Sequence, residues 1–88
     1  MVNFSKNHEE FLVRSARWIK SHGKSYSPVS AVKHIPHWKM IFKDLTKWGL
    51  VQPYKSGAVI IITPDGWEWL AAKHPEILKR HKKKIKID

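Results

Sequence analysis

Two short stretches of the sequence, FKDLTKWGLV at 42–51 and AVIIITPDGW at 58–67, contain the clearest structural signals in the chain. In the first stretch, apolar residues recur at helical spacing until a glycine, Gly49. This pattern predicts a helix that begins at Pro36 or His37, runs to Trp48 and ends at Gly49, because glycine favours the residue that follows a helix.

The second stretch predicts a β-strand that leads into another helix. Its β-branched run predicts a strand over 58–63, which pairs with a strand over 50–54 across the turn Lys55-Ser56-Gly57. Proline in the first strand, Pro53, indicates that this strand lies at an edge of the sheet. Thr63-Pro64, a cap residue followed by proline, then predicts a helix with Trp67, Leu70 and Ala71 on one face, interrupted at His74-Pro75.

Upstream of these stretches, the sequence predicts two more helices. Asn7 and Glu10 form a capping-box pattern, so a first helix is expected to begin near Asn7 and to end at Gly23. Its buried face would carry Phe11, Leu12, Ser15, Ala16 and Ile19. Ser27-Pro28 has the form of a cap and first helical residue, which predicts a short helix over 28–33 before Pro36.

The predicted order of helix, short helix, turn, helix and hairpin is that of a winged helix-turn-helix. The stretch 42–51, which closes on Gly-Leu-Val, resembles the end of the recognition helix in MarR-like and related small winged-helix transcriptional regulators. The stretch 62–67, ITPDGW, is similar to the Leu-Thr-Pro-x-Gly pattern at the exit of their last strand. The resemblance covers about residues 27–70, and it implies an α+β, mainly α, winged helix-turn-helix fold with a three-helix core, a β-hairpin wing and a C-terminal helix. The chain departs from the MarR pattern because it is short and lacks the long flanking helices through which those regulators dimerise.

Composition indicates one small, strongly basic domain. The 88 residues carry 17 Lys and Arg against seven Asp and Glu, a net charge of +10, and 42% of them are hydrophobic. Such charge favours a polyanionic partner, and nucleic acid fits better than a membrane surface. We expect a winged-helix domain over 1–78 and a basic C-terminal tail over 79–88, which either adds phosphate contacts or only aids solubility. No secretory signal or membrane span is apparent, so a cytoplasmic protein is expected, nucleoid-associated if the source is bacterial, archaeal or viral.

The resemblance also implies which residues contact DNA. The recognition helix would present His37, Lys39, Met40, Lys43 and Lys47, and the wing would present Lys55 and Ser56. Lysines of this kind mostly contact phosphates or guanine edges, so His37 and Met40 are the candidates for contact with base edges. The alternative is that the lysines form an ordinary solvated helix face.

The five tryptophans are expected to serve mainly the core. Trp18, Trp38, Trp48 and Trp67 stand beside apolar neighbours. Trp69 lies on the other side of its helix from Trp67 and Leu70. It either covers the hairpin or is an exposed anchor for a partner.

The sequence offers little basis for catalysis or metal binding. The chain has no cysteine, no glycine-rich phosphate loop and no nucleophile motif, and helix starts account for much of its acidic content. The one tempting metal spacing, His34-x-x-His37, contains Pro36 and has no further ligand beside it. We therefore predict a non-enzyme without cofactor or metal.

Three functions remain open on the sequence alone. The leading one is a double-stranded DNA-binding protein, in the role of a transcriptional regulator. The alternatives are a winged-helix module that binds transcription or replication machinery, and a non-specific nucleic-acid coating protein. A homodimer is possible, as is a protein partner bound through Trp69 or the C-terminal helix.

Overall fold

The computed structural model describes residues 4–77. Three α-helices, one 3₁₀ helix and three short strands follow one another in the order α1 (Lys6–His22), β1 (Ser27–Pro28), the 3₁₀ helix (Val29–Ala31), α2 (Trp38–Lys47), β2 (Val51–Tyr54), β3 (Val59–Ile62) and α3 (Pro64–Lys73). They form a small α+β domain that is mainly helical, with one antiparallel sheet. None of the described helices is long and apolar enough to cross a membrane.

Helix α1 begins two residues earlier than its sequence pattern predicts. Its N-cap is Ser5, whose hydroxyl accepts from the His8 amide while the His8 ring accepts from the Ser5 amide at 3.1 Å. The capping box therefore pairs Ser5 with His8, and the predicted pair of Asn7 and Glu10 is wrong. An imidazole here does what a glutamate does in the usual motif. The predicted end at Gly23 is confirmed, with φ of 62°.

The segment after α1 is the largest departure from prediction. Ser27-Pro28 was expected to open a helix over 28–33, but these two residues form β1, with Ser27 opposite Ile60 of β3. Ser27 is fully buried and its hydroxyl donates to the Pro28 carbonyl at 3.1 Å, so it is not a helix cap. Only one 3₁₀ turn follows, since pairing with a buried strand outweighs the local capping signal.

The sheet has the strand order β1-β3-β2, which places β3 in the centre. Strands β2 and β3 pair with Val51 opposite Ile62 and Tyr54 opposite Val59, around the predicted turn. The hairpin is thus confirmed. Strand β2 begins one residue later than predicted, and β3 is one residue shorter than predicted at each end. Pro53 lies on an edge strand, as predicted. Alternation along β3 buries Ile60 and Ile62 against the helices.

Helix α3 begins as its sequence predicts. The Thr63 hydroxyl accepts from the Gly66 amide at 3.0 Å and donates to the Gly49 carbonyl at 2.6 Å, and Pro64 is the first helical residue. Gly66 lies so close to Leu50 that a Cβ atom would overlap the Leu50 carbonyl oxygen. The helix ends at Lys73, before His74-Pro75.

The core is formed by aliphatic and aromatic side chains from the helices, the sheet and the segments that connect them. Its buried members are Phe11, Leu12, Ala16, Ile19, Val32, Ile35, Ile41, Phe42, Leu45, Val51, Ile60, Ile62, Leu70 and Ile77. The predicted face of α1 is buried, including the hydroxyl-bearing Ser15. Ala71 is exposed, contrary to prediction, because α3 meets the core through Gly66 and Leu70.

All five tryptophans are partly buried against this core. For Trp18, Trp38, Trp48 and Trp67 this confirms a packing role, although none is completely enclosed. Trp69 contacts Phe4, with ring centroids 4.9 Å apart, and lies 5.9 Å from the ring of His74. Trp69 is therefore packed against the segment before α1 and is neither a hairpin cover nor a fully exposed anchor.

Candidate nucleic-acid interface

Helix α2 and its N-cap residue, His37, carry five of the seven residues that the sequence predicts to contact DNA. The helix begins after His37, which has a left-handed backbone (φ 60°) and no side-chain cap hydrogen bond. It ends in a Schellman motif, in which the Leu50 amide donates to the Leu45 carbonyl and the Gly49 amide to the Thr46 carbonyl. The predicted limits of this helix are confirmed to within two residues at its start and one at its end.

The two sides of α2 differ sharply in exposure. Ile41, Phe42 and Leu45 are buried, whereas His37, Lys39, Met40, Lys43 and Lys47 are all exposed. At 100° per residue, the exposed members of the helix span about 100° of its circumference, opposite the buried side. We refer to Lys39, Met40, Lys43 and Lys47 as the α2 stripe. Its three lysines lie about 6 Å apart along the helix axis.

Contacts with α1 fix the position of α2. The rings of Phe11 and Phe42 pack with centroids 5.5 Å apart. Nearer the end of α2, His8 Nε2 lies 2.9 Å from Asp44 Oδ2. Because His8 Nδ1 accepts from the Ser5 amide, Nε2 carries the proton and donates to the carboxylate. These two contacts hold α2, and with it the α2 stripe, against α1.

The hairpin turn holds the other two predicted residues, Lys55 and Ser56, in a left-handed conformation. Their φ angles are 52° and 57°, and that of the following Gly57 is 85°. The Gly57 amide donates to the Tyr54 carbonyl at 3.2 Å, and the Ala58 amide donates to the Lys55 carbonyl at 3.1 Å. Both Lys55 and Ser56 are exposed at the tip.

Backbone strain coincides with the predicted contact residues. Three non-glycine residues of the described chain have positive φ, and they are His37, Lys55 and Ser56. A left-handed conformation costs an L-residue about 1–2 kcal/mol. Strain of this kind concentrates at functional sites, where it orients side chains for a ligand.

Charges are distributed unevenly over the described residues. The carboxylates of Glu9, Glu10, Asp44 and Glu76 each lie within 4 Å of a histidine or arginine nitrogen, in contacts centred on α1. By contrast, Lys39, Lys43, Lys47 and Lys55 make no ion pair within residues 4–77. Lys39 Nζ lies 5.8 Å from the centroid of the Trp38 ring, a contact that leaves its charge exposed. The lysines of α2 and of the hairpin tip therefore have no direct acidic partner among the described residues.

No protein-family model, curated protein or solved structure matches this chain.

The described part of the chain offers no metal site. His34 and His37 are both exposed, and residues 4–77 contain no group of three histidine or acidic side chains that could hold an ion. The predicted basic tail over 79–88 lies outside the described residues.

Two histidine–carboxylate pairs were missed by sequence reasoning. One is His8 with Asp44, and the other is His74, whose Nε2 lies 2.6 Å from Glu9 Oε2 and whose Nδ1 lies 3.4 Å from Glu76 Oε2. The partners are 36 and 65 residues apart in the first and second pairs, so no local pattern could reveal them. They connect α1 to α2 and to the end of α3, which makes them positioning contacts for the site.

Proposed function

We propose that this chain is a winged-helix protein that binds double-stranded DNA and acts as a transcriptional regulator. In this proposal, α2 is the recognition helix in the major groove and the β2–β3 hairpin is the wing. The order α1, β1, 3₁₀ helix, α2, β2, β3 and the strand order β1-β3-β2 support it, because they juxtapose a helix-turn-helix with a hairpin.

The observation that carries the proposal is the separation of charge. Four of the acidic side chains are engaged in pairs around α1, while the lysines of the α2 stripe are exposed and have no acidic partner among residues 4–77. A solvated helix face in an ordinary protein mixes both signs of charge. A face whose lysines have no direct acidic partner fits a polyphosphate, and neutralising it releases counterions from DNA.

The dimensions of α2 also suit the major groove. Ten residues give a helix about 15 Å long, and the groove is about 12 Å wide and admits one α-helix. The lysines at both ends of the stripe would reach the phosphates on the two sides of the groove. Met40, in the first turn of α2, and His37, at the entrance of the helix, would then be the residues nearest the base edges.

The proposal is tested by titrating the protein against a pool of random-sequence duplexes at about 50 and about 200 mM salt and sequencing the bound fraction. We expect one motif to be enriched at both salt concentrations. Binding that vanishes at the higher salt and enriches no motif would identify a non-specific coating protein. Absence of duplex binding at the lower salt would overturn the proposal in favour of a protein-interaction module.

Two double variants that lose the same charge distinguish an effect of the α2 stripe on DNA affinity from an effect of net charge. Lys39→Ala combined with Lys43→Ala removes two charges from the α2 stripe, and Lys24→Ala combined with Lys73→Ala removes two exposed charges elsewhere. We expect the first double variant to lose at least tenfold in affinity and the second to change little. Equal losses would mean that net charge alone drives binding.

A further inference from the structure

Met40 is the most exposed of the large hydrophobic residues in the described chain, with 56% of its surface accessible. The other large aliphatic and phenylalanine side chains of α2 point inward, and the core is closed without it. The core therefore does not need the Met40 side chain, which is left free on the surface of α2.

Met40 has both lysines and one carboxylate as neighbours within α2, and that carboxylate, Asp44, lies one turn further along and is engaged with His8. Viewed down the axis of a regular helix, Met40 lies about 60° from Lys43 and about 20° from Lys47. Lys43 is one turn further along the helix, and Lys47 is two turns further. It therefore lies at one border of the band of lysines, in the same turn of α2 as Lys39. It also occupies the first turn of α2, and the N-terminal residues of a recognition helix are those that reach the base edges.

The chemistry of a thioether limits what Met40 can recognise. It has no hydrogen-bond donor and only a weak acceptor, so it cannot read the donor and acceptor pattern of a base. The apolar group that bases display in the major groove is the C5-methyl of thymine. A flexible, polarisable side chain adapts well to such a small apolar surface.

We infer that Met40 contacts the C5-methyl group of thymine, so that the preferred duplex carries thymine under the first turn of α2. This inference rests on the proposed function, and it adds the class of base that the site selects. In this arrangement the lysines of the stripe supply affinity through phosphates, and Met40 supplies discrimination among base pairs.

The methyl group can be removed from the DNA without changing any hydrogen bond. Binding of the protein to alternating poly(dA–dT) and poly(dA–dU) duplexes is compared at one salt concentration, for the unmodified chain and for Met40→Ala. We expect the unmodified chain to bind poly(dA–dT) about fourfold more tightly, the factor that corresponds to one buried methyl-sized group. Met40→Ala is expected to bind both duplexes equally, and alanine is compatible with an exposed helical position.

Two further variants make the test specific to the side chain. Met40→Leu keeps an apolar side chain of similar size and should retain a preference for the methylated duplex. Lys43→Ala should weaken binding to both duplexes by the same factor and leave their ratio unchanged.

The possible failures can be told apart. If both duplexes are bound and the unmodified chain does not distinguish them, or if Met40→Ala keeps the full preference, the methyl contact is wrong and DNA binding stands. If neither duplex nor the random pool is bound, the proposed function itself is wrong.

Discussion

His8 and Asp44 connect the first helix to the helix that carries the exposed lysines, through a 2.9 Å contact between Nε2 and Oδ2. The side chain of His8 is only 8% exposed, and that of Asp44 is 36% exposed. Nδ1 of the same histidine ring accepts a hydrogen bond from the Ser5 amide at the start of α1. One side chain therefore both caps a helix and positions its neighbour.

Replacing Asp44 is expected to loosen this junction. Asp44→Ala leaves the nearly buried Nε2–H of His8 without its partner, which should lower the free energy of unfolding by about 1–2 kcal/mol. The measurement is urea denaturation followed by tryptophan fluorescence. Glu10→Ala is the control, because it breaks the exposed pair with Arg14 and should cost less than about 0.5 kcal/mol. A loss no larger than that of the control would show that the pair does not hold α2.

The lysines of the α2 stripe predict the salt dependence of DNA binding. If Lys43 contacts a phosphate, Lys43→Ala should reduce the slope of log K against log salt by about 0.9. Lys24→Ala, at an exposed position between α1 and β1, should leave the slope unchanged. Isothermal titrations over a series of salt concentrations give both slopes. An unchanged slope for Lys43→Ala would remove this lysine from the interface.

The left-handed backbone of the hairpin turn predicts that glycine at position 56 stabilises the fold. Ser56→Gly removes the steric cost of a φ of 57° and should raise the free energy of unfolding by about 1 kcal/mol. Ser30→Gly is the control, because Ser30 is exposed in the 3₁₀ helix, where glycine gains no such relief and should be neutral or destabilising. Thermal denaturation of both variants tests the difference. Destabilisation by Ser56→Gly would mean that the turn is not strained.

The close approach of α3 to Leu50 predicts that Gly66 is intolerant of any side chain. In Gly66→Ala the new methyl group meets the Leu50 carbonyl and the Ile62 side chain, so α3 has to move, at a cost of about 2–3 kcal/mol. Ala71→Gly, an exposed change in the same helix, should cost about 1 kcal/mol through helix propensity alone. Chemical denaturation of the two variants compares them. Equal effects would contradict the close packing.

The Glu76 carboxylate is expected to stabilise the fold by an amount that decreases as the pH becomes acidic. The backbone amide of Glu76 lowers the pKa of its carboxyl below 4.5, partial desolvation opposes this by a smaller amount, and His74 and Arg17 lower the pKa further. Because the folded pKa is below the unfolded one, this contribution is present above about pH 4.5 and is lost as the pH falls through the folded value. Glu76→Gln should therefore flatten the fall in stability in this acid range.

The comparison for Glu76→Gln is Glu68→Gln, which removes an exposed carboxylate that has no ion-pair partner among residues 4–77. An NMR titration of the Glu76 carboxyl gives the pKa directly. A midpoint at or above 4.5 would contradict the assignment.

Sequence reasoning was most successful where one residue type is strongly favoured by local geometry. Gly49 and Thr63-Pro64 fixed the end of α2 and the start of α3, and helical periodicity identified which side of α2 is exposed. It failed at Ser27-Pro28, since the same two residues suit a helix start or an edge strand, and contact with Ile60 decides between them. It also missed Ser5 and His8, because histidine is not the usual partner in a capping box.

The candidate site was predictable as a set of exposed residues but not as a geometry. The left-handed backbone at His37, Lys55 and Ser56 carries no sequence signal, because none of these residues is one that ordinarily favours positive φ as strongly as glycine. The absence of acidic partners for the lysines also depends on tertiary structure. The pairing of acidic side chains around α1 cannot be predicted from the sequence, because the partners, such as His74 and Glu9, are distant along the chain.

Pro53 gives the exposed rim of the sheet a further property. A strand at the rim offers its backbone to any other chain, and pairing of this kind is a common route to aggregation. Pro53 has no amide hydrogen to donate on β2, and β1, at the opposite rim, is only two residues long. Under the proposed function, many copies bound along one duplex would therefore remain separate molecules and would not polymerise by strand pairing.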